Sequence, residues 1–206
     1  ALTGTPANAD VGDHAVVITA SDGTASVTDS FTVTVANTND APTISSTAVT
    51  AVDEDAAYSY TVTTADVDVG DTVTLTGTTV PSWMTFTAST GALTGTPTNS
   101  EVGSHSVVIT ASDGTVSVTD TFTVVVSNTN DAPTISSTAV TTATEDAAYS
   151  YTTTAADVDV GDTVTLTCTT VPSWMTCASG ALTGTPVNAN VGAHSVVLTA
   201  SDGTAS

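Results

Sequence analysis

Apolar and polar residues alternate in short runs along most of this chain. The runs from Phe31 to Val35 and from Phe122 to Val126 place Phe or Val at every second position. A period of two puts those side chains on one face of a β-strand. Thr supplies 49 of the 206 residues, and Thr and Val are β-branched residues that favour strands. Long runs of helical period are absent, so the pattern predicts an all-β chain.

The same segments return along the chain. Ala1 to Pro6 recurs at 92–97 and 181–186, after 91 and 89 residues. Near-identical neighbours of this length are typical of a tandem array. The sequence predicts three repeat segments: 1–40 is the C-terminal half of a repeat, 41–131 is a complete repeat, and 132–206 is a repeat lacking its last strand. We expect a piece of a longer array, because the chain begins and ends mid-repeat at the same phase.

Turn residues in the complete repeat fall every 8 to 15 positions between short alternating runs, which is typical of a β-sandwich. Seven strands are predicted, at 43–50, 56–64, 72–76, 84–87, 92–94, 104–111 and 116–127. The side chains expected to point into the core are Tyr58, Tyr60, Val62, Val73, Leu75, Phe86, Leu93, Val107, Ile109, Phe122, Val124 and Val126.

The charge balance is one-sided. Against 21 Asp and Glu there is no Lys and no Arg, which gives a formal net charge of −21. No carboxylate can therefore pair with a Lys or Arg of its own chain. Nucleic acids and anionic membrane surfaces are poor partners, because binding to them uses Lys and Arg. Cations are the natural partners. No apolar run approaches the 18 residues of a membrane span, and no signal peptide is visible.

Two identical linkers, Asn37 to Pro42 and Asn128 to Pro133, join the repeat segments. Each reads Asn-Thr-Asn-Asp-Ala-Pro. Asn and Asp offer closely spaced oxygens, and Pro fixes the direction in which the chain leaves. On these residues alone, the linker is either a cation site at a hinge or an ordinary turn.

A second acidic segment, Asp66 to Asp71, places carboxylates two residues apart. Calcium takes six to eight oxygen ligands in a flexible geometry, so such carboxylates can converge on one ion. The segment is not an EF-hand, because Gly77 stands where that loop has its bidentate Glu. The alternative is a solvated acidic loop. The recurrence and the absence of Lys and Arg favour a metal site at the linkers. Surface positions are expected for Asp10, Asp13, Asp29 and Asp120.

The run Pro81 to Pro97, followed by Val102-Gly103 and Ser112-Asp113-Gly114, resembles the Ig-like and dystroglycan-type cadherin-like tandem repeats of large bacterial surface proteins. The linkers resemble those between cadherin domains. This resemblance covers the whole chain. It implies tandem immunoglobulin-like, cadherin-like Greek-key β-sandwiches, secretion, and Ca2+ at the joints.

Carried over residue by residue, the cadherin pattern implies ligand sets for both joints. For the first linker they are Asp22, Asn37, Asn39, Asp40, Asp66 and Asp68. For the second they are Asp113, Asn128, Asn130, Asp131, Asp157 and Asp159. Glu54 and Glu145 resemble the family's early-strand Glu and would each serve the joint at the far end of their own repeat. The linker begins with Asn instead of Asp, and Ser-Asp-Gly replaces the mid-domain Asp-Arg-Glu, so fewer or weaker ions are expected than at a cadherin joint.

Other candidate sites are weaker. His14, His105 and His194 recur once per repeat with no nearby Cys or second His, which does not make a zinc site. We interpret each as a strand-start His facing the sandwich. Trp83 and Trp174 could stack on a sugar, but a lone Trp beside Met is more often a core residue. No catalytic constellation is found, so no enzyme activity is expected.

Cys168 and Cys177 occur only in the third segment, at the counterparts of Gly77 and approximately Phe86. They flank the Pro-Ser-Trp-Met motif and accompany a two-residue shortening. Their joint appearance predicts a disulfide in a secreted protein. The alternative is a pair of buried free thiols.

Together these features predict a structural segment of an extracellular, cell-surface filament, stalk or adhesin, stiffened by calcium at its joints. The expected partners are further copies of the repeat, by covalent continuation or fibre assembly. The alternatives are an adhesive module that binds a glycan or a protein, and a non-catalytic spacer of a large secreted enzyme. Near-interchangeable copies favour the structural role.

Overall fold

The computed structural model describes residues 1–205. Contacts divide the protein into two units. Unit 1 comprises residues 1–52, 56–97 and 103–126, and unit 2 comprises 53–55, 98–102 and the residues from 127 onward. The fold is all-β, as the alternating pattern predicts. The short helices of the described residues are 3₁₀ turns at Asn8–Asp10, Asn99–Glu101 and Asn188–Asn190, and none is long or apolar enough to cross a membrane.

Eleven strands lie between residues 1 and 127. They are β1 Gly12–Ser21, β2 Ser26–Val35, β3 Thr43–Ile44, β4 Ala51–Asp53, β5 Tyr58–Thr61, β6 Thr64–Ala65, β7 Thr74–Thr79, β8 Met84–Thr87, β9 Ala92–Gly95, β10 Gly103–Ser112 and β11 Ser117–Ser127. Strands β1 and β2 form an antiparallel hairpin of their own.

The segment from residue 41 to 127 is a sandwich of two sheets. One sheet has the order β4-β11-β10-β7 and the other the order β5-β9-β8, while β3 pairs with β6. The chain leaves the first sheet after β7, builds β8 and β9 of the second, and returns for β10 and β11. Such crossing between sheets is the Greek-key connection of immunoglobulin-like sandwiches.

The core lies between these sheets. Eight of the predicted inward residues are buried: Tyr58, Tyr60, Val62, Leu93, Val107, Ile109, Val124 and Val126. Leu75, Phe86 and Phe122 are half-buried and pack against this cluster. Pattern alone missed Met84 and Ala111, which are also buried. The Tyr58 hydroxyl donates to the carbonyl of Val49 at 2.7 Å, so this buried aromatic keeps its polar end paired.

The strand expected over 43–50 covers only Thr43–Ile44 in the structure. The backbone N–H of Ser45 still donates to the carbonyl of Thr63, whereas the carbonyl of Thr50 accepts from the N–H of Val125 in β11. The segment thus changes from β6 to β11 as its partner, and β4 begins only at Ala51.

Unit 2 repeats this arrangement with fewer strands. Its strands are β12 Thr134–Ile135, β13 Tyr149–Thr152, β14 Ala155–Ala156, β15 Thr165–Thr170, β16 Met175–Ala178, β17 Ala181–Gly184 and β18 Val197–Ser201. The sheets are β13-β17-β16, β15-β18 and β12-β14. Strand β18 is five residues long, half the length of its counterpart β10. The core cluster of Tyr151, Met175 and Leu182 is correspondingly smaller.

A disulfide joins Cys168 of β15 to Cys177 of β16, with their Cα atoms 6.3 Å apart. These strands belong to different sheets, so the bridge ties the two layers together. In the preceding repeat the same positions hold Gly77 and Phe86. A Cβ added to Gly77 would lie 3.0 Å from Cδ1 of Phe86, so the ring occupies the space that the disulfide spans in unit 2.

Candidate metal centre

The first linker is fixed to the acidic loop of unit 1 by backbone hydrogen bonds. Asp66 follows β6 directly, and the backbone N–H of Asp68 donates to Oδ1 of Asp66 at 2.9 Å. The N–H of Asp40, in the linker, donates to Oδ2 of Asp68 at 2.6 Å. One oxygen of each carboxylate is therefore held by the backbone, and Asp68 is only 5% exposed.

A cluster of three carboxylates, Asp66, Asp71 and Asp113, lies beside this linker. Ligand atoms from all three lie within 4.8 Å of one another. Gly70, with φ of 103°, turns the chain so that Asp71 returns toward Asp68. Asn39 of the linker donates from Nδ2 to Asp113 at 3.0 Å. We call this group the first loop cluster.

Unit 2 contains the equivalent group, Asp157, Asp162 and Asp202, again with ligand atoms within 4.8 Å of one another. Asn130 donates from Nδ2 to Oδ2 of Asp202 at 2.9 Å. Gly161, with φ of 105°, makes the same turn as Gly70. We call this group the second loop cluster.

A further cluster in unit 2 joins Glu54, Asp131 and Asp159, whose ligand atoms also lie within 4.8 Å of one another. Glu54 is 2% exposed and Asp159 is 5% exposed. The backbone N–H of Thr129 donates to Oε1 of Glu54 at 2.6 Å, and that of Asp131 donates to Oδ2 of Asp159 at 2.7 Å. We call this group the linker cluster.

Sequence reasoning did not single out Asn99. It begins the 3₁₀ helix Asn99–Glu101, and its Nδ2 donates to Oδ1 of Asp159 at 2.7 Å. In unit 1 its counterpart Asn8 likewise donates to Asp40 at 2.7 Å. The available signal was the recurrence of Asn at the first position of this turn, at residues 8, 99 and 188.

Four carboxylate oxygens, three of them in the clusters and one on Asp68, are buried without a hydrogen-bond partner. They are Glu54 Oε2, Asp66 Oδ2, Asp68 Oδ1 and Asp157 Oδ2. A buried, unpaired carboxylate oxygen is costly unless an ion or donor satisfies it. With neither Lys nor Arg in the chain, no such side chain can do so. This donor set fits an oxygen-seeking divalent cation.

Within each loop cluster the carboxylates perturb one another electrostatically. Loss of hydration, followed by the neighbouring charges of Asp68, Asp66 and Asp113, raises the pKa of Asp71. The pKa of Asp162 is raised in the same way, by lost hydration and then by Asp159, Asp157 and Asp202. Like charges held this close oppose ionisation, and a bound cation would remove the opposition.

Hydrogen bonds have the opposite effect on Asp113, because they lower its pKa. The largest effect comes from the backbone N–H of Val116, followed by the amide of Asn39 and the N–H of Thr115. The pKa of Asp202 is lowered similarly, first by Ala205 and then by Asn130. Each of these carboxylates therefore stays charged within its loop cluster.

The placement expected for Asp113 is wrong. It was assigned to the second linker, yet it contacts Asn39 of the first. Asp113 directly follows β10. The last residue of β10, Ser112, pairs with the first residues of β7 and β11, so Asp113 lies at the end of the sandwich where those two strands begin. The mid-repeat residue that reaches the acidic loop after the second linker is Asn99 instead.

The same reasoning corrects Asp22. Its Oδ1 accepts the backbone N–H groups of Thr24 and Ala25, both at 2.8 Å, which lowers its pKa. In the described part of the chain no hydrogen bond joins Asp22 to the first linker. Asp22 corresponds to Asp113 and, like it, accepts hydrogen bonds from the two residues that follow the next glycine.

The remaining candidates are more exposed. Asn37 and Asn128 are exposed, and no hydrogen bond of their side chains occurs within residues 1–205. Glu145, the counterpart of Glu54, is also exposed. Of the sequence-derived candidates, the structure therefore brings together Asn39, Asp40, Asp66, Asp68 and Asp113 in unit 1, and Glu54, Asn130, Asp131, Asp157 and Asp159 in unit 2.

Trp83 packs against the core, as the sequence favours. Its ring makes edge contacts with Tyr58 at 5.8 Å and with His105 at 5.7 Å between centroids. Trp174 makes the same contacts with Tyr149 and His194. Both Trp rings are thus half-buried against these neighbours, and Trp174 also lines an open cavity of unit 2.

Comparison with known proteins places the chain in a family. Residues 41–127 and 132–206 match the family described as "Putative Ig domain". The chain belongs to that family, and the resemblance to Ig-like and cadherin-like repeats is confirmed. Domains of this kind are typically non-catalytic, extracellular modules with a structural or adhesive role. No curated protein matches the chain.

Two solved protocadherin structures agree on the fold. Protocadherin gamma B7, extracellular cadherin domains 1-4, is 20% identical, with 95% of this chain and 54% of that chain covered and a TM-score of 0.53. The protocadherin gammaB4 extracellular domain is 16% identical over 96% of this chain and 38% of its own, with a TM-score of 0.51. An endo-fucoidan hydrolase of glycoside hydrolase family 107 is 26% identical over 98% of this chain and 33% of its own, with a TM-score of 0.41. The chain thus spans between 33% and 54% of their lengths.

Proposed function

We propose that this chain is a structural segment of an extracellular tandem-repeat filament, stalk or adhesin, and that Ca2+ at the linkers stiffens it. The observation that carries the proposal is the set of buried, unpaired carboxylate oxygens at both linkers in a chain with no Lys or Arg. Repeat boundaries at residues 40 and 131 remain part of this proposal.

The linker cluster would hold an ion through Glu54, Asp131 and Asp159. The loop clusters would hold ions through Asp66, Asp71 and Asp113, and through Asp157, Asp162 and Asp202. Calcium is favoured because these donors are oxygens only, are several per site, and lie on loops that tolerate an irregular geometry. Transition metals would favour imidazole or thiolate ligands, which none of the three clusters contains.

The stiffening follows from which residues would share an ion. Glu54 comes from repeat 41–131, Asp131 from the linker, and Asp159 from the segment after it. An ion held by this set would connect three stretches of chain that are far apart in sequence. Without it, their carboxylates repel one another, and only hydrogen bonds such as that from Asp131 to Asp159 hold the linker in place.

Calorimetric titration of the whole chain with CaCl2 tests the proposal. We expect saturable binding, and a rise of about 2.7 kcal/mol in the free energy of unfolding when free calcium is about a hundredfold above Kd. X-ray scattering should show a more flexible chain in chelator. Absence of binding heat together with an unchanged scattering profile would refute the proposal.

A matched pair of double variants locates the site. Glu54→Gln with Asp159→Asn should abolish binding at the linker cluster and leave the loop clusters able to bind. Asp13→Asn with Asp29→Asn removes the same charge from residues outside all three clusters, and should bind as the unmodified chain does. Equal affinity and stoichiometry in the two variants would place the ions elsewhere.

A further inference from the structure

The two acidic loops, residues 66–71 and 157–162, expose apolar side chains beside their carboxylates. Both loops read Asp-Val-Asp-Val-Gly-Asp. Their valines face solvent, with exposed fractions of 60% at Val67, 93% at Val69, 58% at Val158 and 96% at Val160. Val69 and Val160 are the two most exposed large apolar side chains within residues 1–205. The exposure is the same in repeat 41–131 and in the segment after it, so it is a property of the loop.

A single exposed valine is ordinary on a protein surface, but a recurring pair around a buried carboxylate is not. Asp68 lies between Val67 and Val69 in the sequence and is 5% exposed, and its Oδ1 is buried without a hydrogen-bond partner. The loop therefore turns its charged groups inward, toward the proposed ion, and its apolar groups outward. Its outer surface is apolar although the segment is rich in aspartate.

A cation in the first loop cluster would keep positions open to the outside. Asp66, Asp71 and Asp113 each offer one ligand atom, and Asp71 is exposed. Calcium takes six to eight oxygen ligands, so three such atoms fill at most half of its positions. The remaining positions are open to water or to oxygens of another molecule. The second loop cluster has the same three types of ligand with the same burial.

We propose that each acidic loop, once it holds calcium, docks on a phospholipid bilayer. Phosphate oxygens of the headgroups would complete the coordination of the ion in the loop cluster, and the two valines would enter the boundary between headgroups and acyl chains. A bilayer presents these two chemistries side by side, because its phosphates border its hydrocarbon. This inference rests on the proposed cation sites and assigns them a partner beyond the chain itself.

The size and charge of the loop favour lipid over a protein partner. A stable protein interface buries about 800 Å2 on each side, which two valines do not approach. A second copy of this chain would also bring another 21 negative charges to the contact. A bilayer needs only a few inserted side chains, and loops on successive repeats add their affinities. A sulfated or carboxylated sugar could complete the coordination of the ion but would gain nothing from the valines.

The net charge makes the docking conditional on calcium. With no Lys and no Arg, the bare chain is repelled by an anionic bilayer. Calcium would supply the positive charge that the side chains lack. The chain without calcium therefore stays a poor partner for anionic membranes, as its composition predicts.

Cosedimentation of the whole chain with vesicles of phosphatidylglycerol and phosphatidylcholine tests the docking. In CaCl2 we expect the chain to pellet with the vesicles, and in chelator the bound fraction should fall by about tenfold or more, because the loops lose their positive charge. In CaCl2 without vesicles the chain should stay in the supernatant. Equal pelleting in calcium and chelator overturns the proposal, and so does pelleting without vesicles, which would identify a second copy as the partner.

A matched pair of double variants tests the valines. Val69→Ser with Val160→Ser should weaken vesicle binding by about tenfold for each loop that inserts, because the apolar area buried in the bilayer is lost. Val49→Ser with Val125→Ser is the control, since these valines are 42% and 45% exposed and lie outside the acidic loops. The control should bind vesicles as the unmodified chain does. Equal affinities of the two variants overturn the insertion of the valines.

Calorimetric titration with CaCl2 in the absence of vesicles separates this inference from the proposed function. Val69→Ser with Val160→Ser should bind calcium with the affinity of the unmodified chain, because no ligand is changed. If the unmodified chain binds calcium and does not bind vesicles, the lipid docking is wrong and the cation sites stand. If it shows no calcium-binding heat, both proposals are overturned.

Discussion

The backbone N–H of Asp131 donates to Oδ2 of Asp159 at 2.7 Å, and Asp40 and Asp68 repeat this bond at 2.6 Å. A linker backbone group thereby fixes a buried carboxylate of the acidic loop that follows it. With one oxygen held in this way, the loop cannot rotate its carboxylate out of the site. The linker and the acidic loop are therefore arranged before any cation arrives, which lowers the ordering cost of binding.

Asn99 is expected to support this arrangement at the second linker. Asn99→Ala leaves Oδ1 of Asp159 without its donor, and hydrogen bonds to charged groups contribute about 1.5–3 kcal/mol. We expect a loss of about that size in the free energy of unfolding of unit 2 in chelator, measured with denaturant. Ser100→Ala, one residue along the same 3₁₀ turn, is the control and should cost much less. Equal losses would show that the turn matters and the amide does not.

Asp71 should have effects of opposite sign with and without calcium. Its folded pKa is raised above the ordinary 3.8, so its contribution to stability is fully present below that pH and is lost as pH rises through the folded pKa. In chelator at neutral pH, Asp71→Asn should therefore raise the melting temperature. The gain should vanish below pH 3.8, where Asp71 is protonated in both the folded and unfolded states.

In calcium the same variant should be less stable than the unmodified chain, because a ligand of the first loop cluster is lost. Asp113→Ala is the contrasting variant. The pKa of Asp113 is lowered by its hydrogen bonds, so its contribution is present above pH 3.8 and is lost as pH falls through the folded pKa. Asp113→Ala should therefore lower stability in chelator at neutral pH. A rise in melting temperature for both variants in chelator would contradict the electrostatic assignment.

Much of the fold was predictable because its periodicity is local. Alternation in β10 and β11 identified the strands and most of the core, since a period of two fixes which side chains share a face. The end of β3 at Ile44 was not predictable, because it depends on where the segment changes from Thr63 to β11 as its hydrogen-bond partner. That change is decided by contacts between residues far apart in the sequence.

The candidate metal centre was likewise predictable only in part. The linker residues and the Asp-x-Asp pairs were recognisable from recurrence alone. Asp113 was assigned to the wrong linker because its position depends on which end of β10 meets which end of the sandwich. Asn99 was missed because its side chain acts 60 residues away, on Asp159. Sequence spacing carries no information on such contacts.

The disulfide should matter most to the third repeat segment. Bridging Cys168 and Cys177 closes a loop of nine residues, for which the chain-entropy model gives about 2–3 kcal/mol. Reduction should lower the denaturant midpoint of unit 2 by the corresponding amount and leave unit 1 unchanged. Cys168→Gly with Cys177→Phe restores the pair found at Gly77 and Phe86. We expect this variant to be insensitive to reductant and more stable than Cys168→Ser with Cys177→Ser, because the ring refills the space between the sheets.

The same glycine position in two repeat segments meets the same obstacle. A Cβ on Gly95 would clash with the carbonyl oxygen of Trp83, and one on Gly184 would clash with that of Trp174. Gly95→Ala and Gly184→Ala should each lower the free energy of unfolding by about 1–3 kcal/mol, because the close backbone atom cannot move aside without distorting the Trp-Met turn.

Denaturant unfolding followed by Trp fluorescence measures both variants, since Trp83 and Trp174 lie at the affected turns. The two glycines occupy identical sequence contexts, from Ala-Leu-Thr before to Thr-Pro after, and we expect similar losses at the two positions. A change within about 0.5 kcal/mol at both positions, as for a surface substitution, would mean that the Trp-Met turn moves aside without cost.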